Sequence, residues 1–485
     1  MAFRTEKDFL GSVRVPAEAY YGSFTARALA NFQISGRRAP AVFIRSLALI
    51  KRAAAETNMR LGLLDKRLGN AIVRACGEVA AGKLADQFPL DVFQAGAGTP
   101  FNMNANEVIA NRANELLGAP KGSYRFVNPN NHVNMAQSSN DVIPTAIRLA
   151  VLLSLPRLLA ELALLEKSFR KKARAFARIV KVGRTHLQDA VPITLGQEFG
   201  AWADSLKADG KAVAGAGMEL RVLGIGGTAV GTGITAHPRF RALIVKRLSS
   251  LTRLPLKPGK PIQLTQDMGA FARFSASLRA LSLSLVRISN NLELLNTGPR
   301  TGIGEIHLPD VEPGSSIMPG KVNPSVPECV EMVAFRVLAN DYAVALCTQA
   351  GQLELNVDTP LIALSLLEST ELLSNACRMF RVCCVDGIRA DAARCRELFE
   401  GSLVTATALN PYLGYSVMSA LVRESLKSGS TLRQTISVHR LVEEKDLQRV
   451  LSPQALTKSV ETDLKLKEKI QKNPAFKRFL RRISR

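Results

Sequence analysis

Apolar residues recur at alternating spacings of three and four through Phe271, Phe274, Leu278, Leu281, Leu285, Ile288, Leu292 and Leu295. Such a seam, nearly four heptads long, predicts a helix about 40 Å in length at about 1.5 Å per residue. A surface helix has no use for it, whereas a bundle or a subunit interface does. Residues 326–349 and 360–385 repeat the helical period. So does 144–180, where Pro156 is expected to kink the helix, and so does 195–220. Residues 41–81 read as two helices broken around Gly62, with Pro40 just ahead of the first. The first forty residues read as mostly irregular, and no β-alternation of useful length appears. The pattern therefore predicts an all-α chain with a central bundle of long helices. Its expected segments are an N-terminal mainly helical domain (1–142), a central long-helix domain (143–393) and a small C-terminal helical domain with a basic tail (394–485).

Polar islands stand between these helices. The first, 99–106, is expected to open a helix at about Asn104. The second is Ser138-Ser139-Asn140-Asp141, an N-cap-rich run ahead of an apolar helix, together with Thr185-His186. The third is Gly314-Ser315-Ser316-Ile317-Met318-Pro319-Gly320-Lys321-Val322-Asn323-Pro324. Gly and Ser allow backbone N–H groups to converge on one point, and such a nest holds a carboxylate or a developing oxyanion. Lys321 adds a point charge and Asn323 a neutral donor. A Gly-Ser-Ser run alone reads as a linker, and Thr99 and Ser138 alone read as helix caps. Thr, Ser, Asn, His and Lys on loops between rigid helices suit a small carboxylate substrate. No Cys, His or carboxylate cluster has metal-ligand spacing, and no phosphate-binding glycine loop follows a strand, so neither metal nor cofactor is expected. His132, His237, His307 and His439 carry only structural or surface readings.

The chain has 485 residues, too many for one ordinary core, and 47% of them are apolar. Seven cysteines without paired spacing fit reduced thiols in a cytoplasmic protein. The start of the chain lacks the apolar stretch of a signal peptide, and no membrane association is expected. The formal net charge is +23, and 464–485 holds nine Lys/Arg against one Glu. Without aromatic interleaving this reads as a solvated basic surface, and nucleic acid is not expected as a partner.

Several stretches together resemble the aspartase/fumarase superfamily over nearly the whole length. They are Ala19-Tyr20-Tyr21-Gly22, Gly96-Ala97-Gly98-Thr99, Asn102-Met103-Asn104, Asn106-Glu107-Val108, Asn128-Pro129-Asn130, 183–199 and 314–324. The resemblance implies a homotetramer with a twenty-helix core, in which each active site draws one polar island from each of three subunits. It further implies that Ser315 removes a Cβ proton from L-aspartate, giving fumarate and ammonia. Thr99, Ser138, Thr185 and His186 would then hold the enediolate, Lys321 and Asn323 the α-carboxylate, and Ser139 and Asn140 the ammonium. Asn128, Leu187 and the Gln352-Leu353 pair resemble the aspartase branch, while Ser139 resembles the fumarase branch. Pro100 and Asn131 depart from the aspartase pattern, and Pro100 removes a backbone N–H beside Thr99. Fumarate hydration, lysis of a substituted aspartate, and a non-catalytic binding role are the other readings.

Overall fold

A computed structural model describes residues 2–484, apart from the side chains of 453 and 454. The chain opens with strands rather than irregular backbone. β1 (Phe3–Asp8) pairs antiparallel with β2 (Gly11–Pro16), in register from Phe3 opposite Pro16 to Asp8 opposite Gly11. Charge hid this hairpin, because Arg4 and Glu6 occupy positions where apolar residues would have marked the alternation. Arg4 donates to the carbonyls of Pro16, Ala17, Ala19 and Tyr21 while pairing with Glu6. The next element, α1 (Ser23–Asn31), has no cap of its own. Its first N–H groups, on Gly22, Phe24 and Thr25, are taken by the buried Glu107 carboxylate.

α2 (Ala41–Arg60) and α3 (Lys66–Ala80) break where expected, at Gly62 with φ +76°, and Asp65 caps α3. α4 (Thr99–Leu116) starts five residues before the expected Asn104. A left-handed step at Ala97 and Gly98 (φ 58° and 66°) turns the chain into it. Pro100 falls in the first helical turn, where an N–H has no intrahelical acceptor anyway, so its missing donor costs nothing there.

α5 (Ser139–Ala175) includes both Pro144 and Pro156. It is long and apolar enough to pass as a membrane span by composition, but 72% of its apolar window is buried inside the protein. A second hairpin follows where only an interruption was expected: β3 (Val180–Thr185) against β4 (Gln188–Thr194). Here too a charge masked the strand, since Lys181 is buried and faces Glu198 and Glu305 at 3.3 and 3.0 Å. α6 (Leu195–Glu219), α7 (Phe240–Thr252), α8 (Pro261–Gln266), α9 (Gly269–Leu295), α10 (Ser325–Gln349) and α11 (Thr359–Cys383) complete the helical frame. All eight seam residues of α9 are buried, none more than 5% exposed, so the seam is used within the chain. The fold is all-α with a few short strands.

Two compact units result. One comprises 1–163, 208–286 and 330–377, and the other 164–207, 287–329 and 378–485. Each of α5, α6, α9, α10 and α11 contributes residues to both. In the second unit, the short helices from Ala392 to Ile483 close on Leu409, Leu421, Ile436, Leu447, Ile470 and Phe479. The basic tail is part of that core: Pro474–Ile483 is helical, with Phe476 and Phe479 buried and Lys477, Arg478 and Arg481 exposed.

In the first unit one ammonium ties α2 to α4 and to the 134–137 turn. Lys51 of α2 is fully buried, and its Nζ donates to Asn102 Oδ1 (2.7 Å), Asn134 Oδ1 (2.9 Å) and Gln137 Oε1 (3.0 Å). Asn102 of α4 in turn donates to Asn134 and to Ser139 Oγ at the start of α5, each at 3.2 Å. Burial lowers Lys51 from the ordinary 10.5 to about 7, against an opposing pull from Asp141. Replacing Lys51 by Met strands the buried side-chain oxygens of Asn102 and Gln137 and takes one of two donors from Asn134. The expected cost is about 2–4 kcal/mol, read as an earlier calorimetric melt; a melt coincident with wild type would contradict the network. Because the folded pKa lies below the unfolded one, folding sheds a proton between pH 7 and 10.5, so wild type gains stability relative to K51M as pH rises through that window.

Candidate active site

The sequence-derived candidates fall into three sets. The first, in the first unit, is built at the N-termini of α4 and α5. Ala97 N–H is tied to Val357 O at 2.6 Å, and this holds the turn that delivers Thr99 as the first residue of α4. Next to it Ser138 Oγ accepts from Asn140 N–H at 3.2 Å, and Ser139 Oγ accepts from Asn102. Asn140 donates its amide to Ala229 O at 2.8 Å, which leaves the side-chain oxygen available as an acceptor. Two long helices thus begin side by side, and unpaired N–H groups at such ends favour an anion.

Asp141 fixes the second half of this set. Its Oδ1 accepts from Ser138 N–H at 3.0 Å, and its Oδ2 accepts from Gly226 N–H (2.9 Å) and Thr228 N–H (2.8 Å). One carboxylate therefore clips the 224–233 glycine loop to the start of α5. Burial pushes Asp141 up to about 6 although those three N–H groups oppose the shift. Sequence reasoning gave no role to Lys51, Asn134, Gln137 or Thr228, and read Asp141 only as part of an N-cap-rich run. Signals existed for most of them: a lone Lys on an apolar face of α2, and the density of amide side chains between Asn128 and Asn140.

The second set is the tip of the β3–β4 hairpin, in the second unit. Thr185 pairs with Gln188, so His186 and Leu187 alone form the turn, with φ 53° and 57°. Both central residues of this tight turn are left-handed, a geometry that usually selects Asn-Gly. Holding two side chains there costs on the order of 1–3 kcal/mol each, and it projects them outward. Thr185, His186 and Leu187 are exposed. The stem is anchored by Glu305, itself fully buried, which pairs with Arg184 at 2.9 Å as well as with Lys181.

The third set is the loop of 314–324, also in the second unit. Gly314 N–H donates to Lys321 O (2.9 Å), Lys321 N–H to Met318 O (3.2 Å) and Asn323 Nδ2 to Gly314 O (2.8 Å), which closes the neck. A Cβ on Gly314 would lie 2.6 Å from Asn323 N, so glycine is required there. Inside this loop Ser315 Oγ accepts from two backbone donors, Ile317 N–H at 3.3 Å and Met318 N–H at 3.1 Å. Donors aimed at a hydroxyl oxygen stabilise its anion, the condition for a serine to act as a base. Lys321 is exposed and makes no ion pair among the described residues, while Ile317 stands 84% exposed at the loop's crest. Among the described residues no hydrogen bond or ion pair joins this loop to the hairpin tip.

The structure thus gathers Thr99, Ser138, Ser139 and Asn140 in one place, Thr185 and His186 in a second, and Ser315, Lys321 and Asn323 in a third.

Residues 11–339 match the family described as lyase, and residues 405–458 match the family described as fumarase C C-terminus. An aspartate ammonia-lyase of Pseudomonas fluorescens is 48% identical over 458 residues, covering 93% of this chain and 96% of its own. A class II fumarate hydratase of Brucella suis is 46% identical, covering 93% and 98%. Among solved structures, a fumarate lyase:delta crystallin of Brucella melitensis bound to cobalt superposes with a TM-score of 0.91 at 44% identity, covering 94% of this chain and all of its own. With the helical frame, the glycine-necked serine loop and the paired helix N-termini already in view, these likenesses agree: the chain belongs to the aspartase/fumarase superfamily of lyases.

Proposed function

We propose that this protein is an aspartate ammonia-lyase, cleaving L-aspartate to fumarate and ammonia. The observation that carries the chemistry is Ser315 Oγ held by two backbone N–H groups in a loop that also presents the unpaired Lys321. Several relatives of 43–48% identity bear the name aspartate ammonia-lyase.

In this reading Ser315, as its alkoxide, takes the proton from Cβ. The electrons of that C–H bond move into the β-carboxylate, which becomes a dianionic enediolate held by Thr99, Ser138, Thr185 and His186. Collapse of the enediolate forms the Cα–Cβ double bond and breaks the C–N bond, whose electron pair leaves with nitrogen as neutral ammonia. Lys321 and Asn323 grip the α-carboxylate. Asn140 has its amide donor committed to Ala229 O and so offers its oxygen to the substrate ammonium, beside Ser139. The proton on Ser315 returns to solvent.

Assembly of these sets from several subunits is part of the proposal. Its support is a second apolar stripe, this one outward: Met332, Phe335, Tyr342 and Leu346 on α10 are 63, 54, 68 and 43% exposed and share one helical face with Ala339. Such a stripe suits helix-to-helix packing in a homotetramer. The seven free thiols support a cytoplasmic setting. The segment 394–485, which has its own apolar cluster within the second unit, is the proposed small C-terminal domain, with 1–142 and 143–393 as the other proposed domains.

Fumarate hydration is the second reading, favoured by Ser139 and by the 46%-identical fumarate hydratase. Fumarate absorbance decides: L-aspartate is expected to produce it and L-malate not, and the reverse would transfer the assignment. Ser315→Ala is expected to lower kcat by about 10³-fold or more with an unchanged melting temperature, and near-wild-type turnover would remove the serine from its role. Phe335→Glu with Tyr342→Glu is expected to yield smaller, helical, inactive species by light scattering and circular dichroism. An active tetramer in that variant would exclude the α10 face as an interface.

A further inference from the structure

The C-terminal stretch expected as a solvated basic surface is instead a built face of the second unit. Residues 459–485 lie beyond both matched family segments. Their last helix, Pro474–Ile483, turns Phe476 and Phe479 into the apolar cluster and carries no acidic residue. Lys477, Arg478, Arg481 and Arg482 are all exposed and fill its solvent side. Lys477 stands one turn from Arg481, and Arg478 one turn from Arg482.

The helix Tyr415–Ser428 extends this face. Its Arg423 and Lys427, one turn apart, are exposed. A hollow of about 400 Å³ is lined by both of them together with Glu424, Ser428 and Arg482, so cations from the two helices border one depression. Glu424 is the one carboxylate these helices carry, and it is already shared, meeting His439 Nε2 at 2.6 Å and Arg482 Nη2 at 3.2 Å. Among the described residues, Arg423, Lys427, Lys477, Arg478 and Arg481 make no ion pair and no side-chain hydrogen bond. Like charges one helical turn apart destabilise the helix that carries them, and an anion laid across them removes that cost.

Fixed cations spread over two helices suit a polymer of phosphates, whose counterions they displace. Both aromatic side chains of the last helix are buried, which leaves it no ring for stacking on unpaired bases and no aromatic anchor for lipid. Missing interleaved aromatics thus argue against single strands, not against the backbone of a duplex. We infer that this face binds the phosphate backbone of duplex nucleic acid without regard to sequence. None of its residues belongs to the three sets above, so the inference does not rest on the lyase reading.

A short fluorescein-labelled DNA duplex is the probe, followed by anisotropy with full-length protein over a series of salt concentrations. Wild type is expected to bind saturably at low salt, with log K falling linearly against log salt. Arg478→Ala with Arg481→Ala is expected to bind at least about tenfold more weakly and to flatten that slope by about 2. Lys66→Ala with Lys83→Ala removes the same charge from exposed positions of the first unit and is expected to match wild type. The inference is overturned by a wild-type protein that leaves the duplex free at low salt. Equal weakening in both double variants also overturns it, because that result reports charge without a site. So does capture of wild type, but not of the Arg478 and Arg481 variant, by phosphatidylserine vesicles with the duplex left unbound, which assigns the face to a membrane surface.

Discussion

Backbone N–H groups that helices and turns leave unpaired must find an acceptor, and in this protein the acceptors fix the arrangement. Glu107 collects the donors at the start of α1. Asp91 does the same for Ser35, Gly36 and Phe93; burial alone would raise its pKa, yet these bonds bring it down to about 2. Asp141 spans Ser138 and the 226–228 loop. Where the acceptor is not a carboxylate but the hydroxyl of Ser315, two donors face the oxygen that carries charge in the proposed reaction. Structural carboxylates and the serine proposed as the base are thus two uses of one device.

Much of the frame was legible because long helices advertise themselves. The α9 seam is a pattern that only burial explains, and the glycine break between α2 and α3 sits where the period fails. Both hairpins were hidden for one reason: their inward positions are held by Glu6 and Lys181, side chains buried only because Arg4 and Glu305 neutralise them. A period written in apolar residues cannot register a charge neutralised by a neighbour on its own strand, as Glu6 is by Arg4, or from far along the chain, as Lys181 is by Glu305. The start of α4 was missed because its turn is made by Ala97 and Gly98 in left-handed geometry, which carries no capping side chain.

The polar islands were legible as islands, from composition and from the likeness to known lyases, but their supports were not. Lys51 looks like a solvated lysine until Asn102 of α4 and Asn134 and Gln137 of the turn ahead of α5 are seen to converge on it. The outward stripe of α10 shows the same limit. Its Phe335 and Tyr342 carry the helical period as strongly as any core position, and only the structure shows that they stay exposed among the described residues. Sequence periodicity reports that a face is apolar, not which molecule it faces.

The central proposal is that Ser315 on its loop and Asn140 at its helix end, in different sets, become parts of one site between subunits. The most direct test is complementation. Ser315→Ala and Asn140→Ala proteins, each inactive alone, are unfolded together, refolded as hybrids and assayed for fumarate from L-aspartate. Random mixing in a symmetric tetramer predicts recovery of about a quarter of wild-type activity, since one site in four then draws an intact serine loop and an intact helix-end set from different chains. Activity that stays at the level of the two single variants would contradict the account.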